Sequence, residues 1–234
     1  MKKMTNGSFL KRALFTVASC LALSTAPGVH AGVLTSSSLS GELVTLNNNG
    51  TSSNTKAGVF TGTFDSTAIL FWCVDLTKHV SFPPFAYSGY TAAPFQTAPL
   101  GFDAARQLNL ARLFTNNFGA ALSDAQHSAA FQMAIWDILF DNDGNLSSAG
   151  GAGDFAVTAG NAATISIAQG WVNALGSGTP SYPLIQLTSA INQDFITPPV
   201  HGLLPEPGAL PLLGAGLVAM MFALRRRKVS GHPV

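Results

Sequence analysis

Apolar and polar positions along this chain change period twice, from strand-like spacing to helix-like spacing and back. Residues 58–64 and 68–76 carry β-branched and aromatic side chains at strand spacing, and Asp65-Ser66 between them predicts a turn. Residues 41–46 predict a shorter strand, followed by an Asn/Ser/Gly loop through Asn47-Asn48-Asn49 and Ser52-Ser53-Asn54. Pro83, Pro84, Pro94 and Pro99 break the next stretch into an aromatic-rich loop. Over 103–118 the period becomes helical, with Leu108, Ala111, Leu113 and Phe114 on one side and Gly119 as the stop. Ser123 and Gln126 then form a capping box ahead of an apolar helix through Phe140, which Asp141-Asn142-Asp143-Gly144-Asn145 ends as a turn. A third helix is predicted over 164–175, and strands over 182–188 and 194–197. Strands first and last with about three inserted helices predict one α+β domain, an antiparallel sheet or sandwich.

Charge changes the picture at the ends. Only 10% of the 234 residues are charged, against roughly 25% in an ordinary soluble domain. Eight of the twelve basic residues lie at the termini: Lys2, Lys3, Lys11, Arg12 and Arg225, Arg226, Arg227, Lys228. Between residues 32 and 204 there remain four basic residues against ten acids, a net of −6, which excludes nucleic acid as a partner. Residues 1–31 have the order of a secretory signal helix: a basic start, an apolar run over 13–23, and Val29-His30-Ala31 with small residues where signal peptidase cleaves, after Ala31. The competing reading is a lipobox at Val17-Ala18-Ser19-Cys20, with Cys20 lipidated.

At the other end stand Pro205-Glu206-Pro207, sixteen apolar residues over 209–224, and the basic cluster. As a helix, the apolar run reaches only about 24 Å, short for the hydrocarbon core, and the basic residues after it favour a cytoplasmic C-terminus. Taken by itself, it is a short membrane-spanning anchor. The Pro-Glu-Pro triplet, the short span and Arg225, Arg226, Arg227 together resemble the PEP-CTERM sorting signal of Gram-negative bacteria. That resemblance implies recognition by an exosortase, removal of the tail, and delivery from the inner membrane to the cell surface or extracellular matrix. The implied organisation is signal peptide 1–31, exported domain 32–197, linker 198–204, sorting signal 205–228 and cytoplasmic tail 229–234.

Cys20 leaves with the signal, so Cys73 is alone in the exported domain and has no intramolecular disulfide partner. A single cysteine in an apolar strand is packed and inert, paired between chains, or reactive. Phe71-Trp72-Cys73-Val74-Asp75, followed by Phe131-Gln132-Met133-Ala134-Ile135-Trp136, resembles the thioester domains of bacterial surface adhesins. In that family a cysteine thiol and a glutamine carboxamide join with loss of ammonia. Trp72 and Phe131 depart from its usual pattern, in which Tyr, Phe or Leu precedes the cysteine and Thr or Ser the glutamine. The resemblance implies Cys73 and Gln132 as the reacting pair, with Asp75 and Trp136 supporting.

The residue types make the same chemistry coherent. Gln132 and Trp136 are four apart and share a helix face. Phe71, Cys73 and Asp75 alternate with Trp72 and Val74 along a strand. If that helix packs on that strand, thiol and amide meet among aromatic rings that exclude water, and a later amine or hydroxyl displaces the sulfur. Asp75, or less directly His79 or His127, is placed to handle the proton; Asp137 and Asp141 are expected to face solvent. The alternative is a structural matrix protein whose Ser/Asn-rich, acidic surface is its functional face. A cysteine hydrolase is the third class, disfavoured because a mid-strand cysteine lacks the field that activates a thiol. No metal or cofactor is indicated: there is no zinc-type Cys/His spacing and no phosphate-binding glycine loop. Partners in this reading are signal peptidase, exosortase, the membrane before processing, and an amine or hydroxyl on a surface polymer or protein.

Overall fold

A computed structural model describes residues 31–95, 100–147, 155–177, 180, 182–200 and Met220. The signal segment before Ala31, Cys20, and the sorting signal with its apolar span, Met220 excepted, lie outside the described residues. Among the described residues no helix is long and apolar enough to cross a membrane.

The domain is α+β, with every strand pairing antiparallel. In chain order the strands are β1 (Ala31–Asn48), β2 (Thr51–Phe64), β3 (Thr67–Cys73) and β4 (Phe85–Pro94). Helices α1 (Ala104–Ala121) and α2 (Ala125–Phe140) follow, then β5 (Phe155–Ala159), α3 (Ala162–Asn173), β6 (Ile185–Thr188) and β7 (Phe195–Thr197). The sheet runs β2-β3-β7-β6-β4-β1-β5, and β1 also pairs with β2. That extra pairing closes six strands into a barrel, with β5 as a seventh strand on the far half of β1. Closure removes the edges that an open sheet or sandwich would expose.

Two expectations about strands are corrected here. The polar stretch after Gly32 is one long strand and not a short strand with a loop, and it turns at Asn49-Gly50 into β2. Both turn residues have positive φ, 51° and 77°, which suits Asn and Gly. The proline-broken stretch contains β4, which Pro83 and Pro84 precede and Pro94 ends, so its prolines bound a strand without interrupting it.

Alternation along β3 divides the core. Phe71 faces the barrel interior, where it stacks on Phe60 at 5.2 Å and meets Phe195 at 4.9 Å. Trp72 faces the helices, with Phe114 of α1 at 5.5 Å and Phe131 of α2 at 5.3 Å. Helix α2 is buried all round from Ser128 to Leu139, which marks it as the central helix of the domain. Its N-cap is Asp124, which accepts from the His127 backbone N–H at 2.8 Å, and not Ser123, whose hydroxyl donates to the Ala120 carbonyl. Helix α1 is capped by Asp103 and runs through Gly119 to Ala121, so that glycine is not its stop.

Candidate functional site

Cys73 is the last residue of β3 and so closes the strand instead of lying at its middle. Trp72 pairs with Ile196, and the Val74 N–H donates to the Asp194 carbonyl at 3.0 Å. In an antiparallel ladder this alternation turns the Cys73 N–H and C=O away from β7, toward the edge that β2 occupies lower down. β2 has already left: its last pair with β3 is Phe60–Phe71, and beyond it β2 follows β1 alone. The carboxamide of Gln132 takes the vacant place. Its Oε1 accepts from the Cys73 N–H at 2.9 Å and its Nε2 donates to the Cys73 carbonyl at 2.8 Å. A glutamine buried in an apolar helix thus mimics a strand partner and satisfies two main-chain groups that would otherwise be orphaned.

The thiol lies in a dry environment. Cys73 is 4% exposed, Trp136 2% and Gln132 1%. Burial pushes the thiol pKa far above its usual range, and the Asp75 and Asp194 carboxylates add to the effect; contacts with the Asp75 backbone and the Trp136 indole N–H partly offset it. That indole N–H is buried and has no hydrogen-bond partner of ordinary geometry. The thiol donates to the Asp75 carbonyl at 3.5 Å.

Asp75 therefore meets the sulfur through its main chain. Its carboxylate turns away, accepting from the Thr77 N–H and hydroxyl at 2.7 Å each and from the Lys78 N–H at 3.2 Å. Burial opposes its charge, but these contacts and the Lys78 ammonium hold the carboxyl below the usual range. Lys78 reaches further still: its ammonium donates to the Ser189 carbonyl at 2.8 Å and pairs with Asp194 at 2.7 Å and Asp75 at 3.3 Å. Gln193 donates from Nε2 to the Asp75 carbonyl at 2.8 Å. Lys78, Gln193 and Asp194 do not stand out in the sequence by motif. The one available signal was scarcity, since Lys78 is among only four basic residues between residues 32 and 204.

The other candidates lie elsewhere. His127 pairs with Asp124 at the start of α2 and its ring lies 6.0 Å from that of Trp171. His79 is exposed on the loop after β3. Asp137, expected at the surface, is wholly buried, and neither carboxyl oxygen has a hydrogen-bond partner. Ala31 begins β1 and pairs with Thr91. Pro205, Glu206, Pro207 and Arg225, Arg226, Arg227 lie outside the described residues.

No protein-family model matches this chain, and no curated protein matches it. Among solved structures it is similar to the N-terminal domain of the Streptococcus pyogenes pilus tip adhesin Cpa. The identity is 16% and the TM-score 0.42, over 61% of this chain and 83% of that one. A likeness of that size carries no argument about chemistry, and the case for the site rests on the contacts above.

Proposed function

We propose that this is an exported protein, delivered to the cell surface or matrix, whose domain forms an internal thioester between Cys73 and Gln132 and uses it once to attach covalently to a partner. The observation that carries the reading is the pair of hydrogen bonds by which the Gln132 carboxamide holds the main chain of the very residue that bears the thiol. The carboxamide and the thiol are thereby carried by residues in direct contact, which is the proximity an intramolecular reaction needs. The Cys73 N–H already polarises the Gln132 carbonyl, and the same N–H faces the oxygen on which negative charge develops as sulfur adds. The C–N bond then breaks, and the thiol proton leaves with the nitrogen as ammonia. Atoms and charge balance without an external reactant.

The thioester is a far better acyl donor than the amide it replaces, and the aromatic walls slow its hydrolysis. An amine or hydroxyl on a surface polymer or protein attacks the Gln132 carbonyl carbon, the C–S bond breaks, and the proton of the nucleophile passes to the Cys73 sulfur. One covalent link forms per molecule, without turnover. The basic, apolar N-terminal segment and the Pro-Glu-Pro, apolar and Arg-rich C-terminal order support export and exosortase sorting.

A second reading has a specific observation in its favour. The same two hydrogen bonds complete the β3 ladder, so Gln132 has a structural duty even if no bond to sulfur forms. The protein is then a non-catalytic matrix component presenting the Ser/Thr/Asn-rich surface of β1 and β2. Intact mass of the purified protein separates the two. The thioester makes the chain lighter by one ammonia, and Cys73→Ala, Gln132→Ala or methylamine treatment removes the deficit. An undiminished mass together with a stoichiometric free thiol in the unfolded protein sinks the covalent reading.

A further inference from the structure

We propose that Lys78 is a positioning residue for the Cys73–Gln132 pair, clamping the loop after β3 to the loop before β7 and so keeping water and reagents from the sulfur. The proposal rests on the thioester reading for its meaning, but its geometry is independent of whether the bond forms. Two of the contacts just described cross between these loops at one ammonium, to the Ser189 carbonyl at 2.8 Å and to Asp194 at 2.7 Å, and a third ties the same ammonium to Asp75 of its own loop at 3.3 Å. Asp194 is also fixed by the Ser189 N–H at 2.8 Å, so the loop before β7 is tied to itself at the same point.

The clamp leads directly to the sulfur. Asp75 supplies the carbonyl that accepts the hydrogen bond of the thiol, and that carbonyl is also held from the opposite loop by Gln193. Gln193 is in turn fixed through its own carbonyl, which accepts from the Tyr90 hydroxyl at 2.7 Å. Without the cation, two carboxylates face each other across the gap with nothing between them, and their repulsion opens the loops. Lys78 itself is partly exposed, with 29% of its side chain accessible, whereas the side chains of Asp194 and Asp75 are 4% and 10% accessible. Removing its charge acts on the two buried acids it covers.

The experiment compares the purified full-length protein with Lys78→Met and Lys78→Arg, and with Asp194→Asn as a second way of weakening the link. Where the ammonia deficit is present, its loss to hydrolysis is followed by intact mass at neutral pH. Lys78→Met is expected to shorten the thioester lifetime about tenfold, as loss of a charge-assisted contact to a closed segment would. Lys78→Arg restores most of it, and Asp194→Asn shortens it in part. If the wild type carries no deficit, the function reading has failed. The clamp is then read from alkylation of the free Cys73 thiol by iodoacetamide under native conditions, where Lys78→Met is expected to raise the rate by a similar factor. Equal lifetimes, or equal alkylation rates, in the wild type and Lys78→Met overturn the clamp. So does a loss that Lys78→Arg does not restore.

Discussion

Asp137 is the residue whose surroundings most directly set a measurable property of the fold. It sits on α2 one position after Trp136, wholly buried, with no hydrogen-bond partner for either oxygen. Burial raises its pKa from 3.8 to about 7, and the nearby Asp143 and Asp141 carboxylates push the same way. The folded chain thus keeps a proton that the unfolded chain gives up. Stability falls as pH rises between those two values and levels off above the upper one. Asp137→Asn is expected to remove this slope and to be more stable than the wild type at pH 8 by roughly 1–3 kcal/mol, with little difference near pH 4. Urea unfolding at the two pH values checks it; parallel pH dependence in both proteins would refute the assignment. The same scale shows where sequence pattern misleads. Asp137 was expected to face solvent because it is charged, yet α2 is enclosed on every side.

At the scale of elements, the β1–β2 ribbon depends on close approach. Gly41 faces Gly58 across the ladder, and a Cβ built on Gly58 would lie 2.0 Å from the Ser40 carbonyl oxygen. One built on Gly41 would lie 1.8 Å from the Ala57 carbonyl oxygen. No side chain fits either place without moving backbone, so Gly58→Ala is expected to cost about 2–4 kcal/mol. Gly119 gives the contrast. It lies within α1 with open space where its Cβ would be, so Gly119→Ala is expected to stabilise by about 0.5–1 kcal/mol. Thermal unfolding of both variants tests the pair, and a neutral Gly58→Ala would show that the ribbon can separate. The β1–β2 pairing matters to the site, because it is the departure of β2 along β1 that leaves the Cys73 edge open to Gln132.

For the whole molecule, the two ends are predicted to be addresses and the middle to be cargo. Contacts gather the described residues between 31 and 200 into one compact unit. If the signal reading is correct, N-terminal sequencing of the exported protein in a Gram-negative host with an exosortase will begin at Gly32. Its mass will also lack the residues after the Pro-Glu-Pro triplet. A mature chain that begins at a lipidated Cys20, or that keeps Arg225, Arg226 and Arg227, would contradict the processing scheme. Removal of Ala31 costs the domain only the first pair of the β1–β4 ladder, with Thr91.

The sequence by itself determined the class of the fold, the three helices, the second half of β2 and β3 with the turn between them, and the candidacy of Cys73 and Gln132. The elements follow from local period and turn chemistry, and the candidacy of the pair from the resemblance of its two motifs to thioester domains. It missed β4, β5, most of β1 and the first half of β2, because these short, polar or proline-flanked strands are held by pairing with segments distant along the chain, which no local pattern records. Only the tertiary structure decided that Gln132 reaches the Cys73 main chain, that Asp75 offers its carbonyl instead of its carboxylate, and that Lys78 bridges two loops over the thiol. Each of those depends on where β2 parts from β3 and on how α2 crosses that point, and such placements are set by packing between segments distant along the chain.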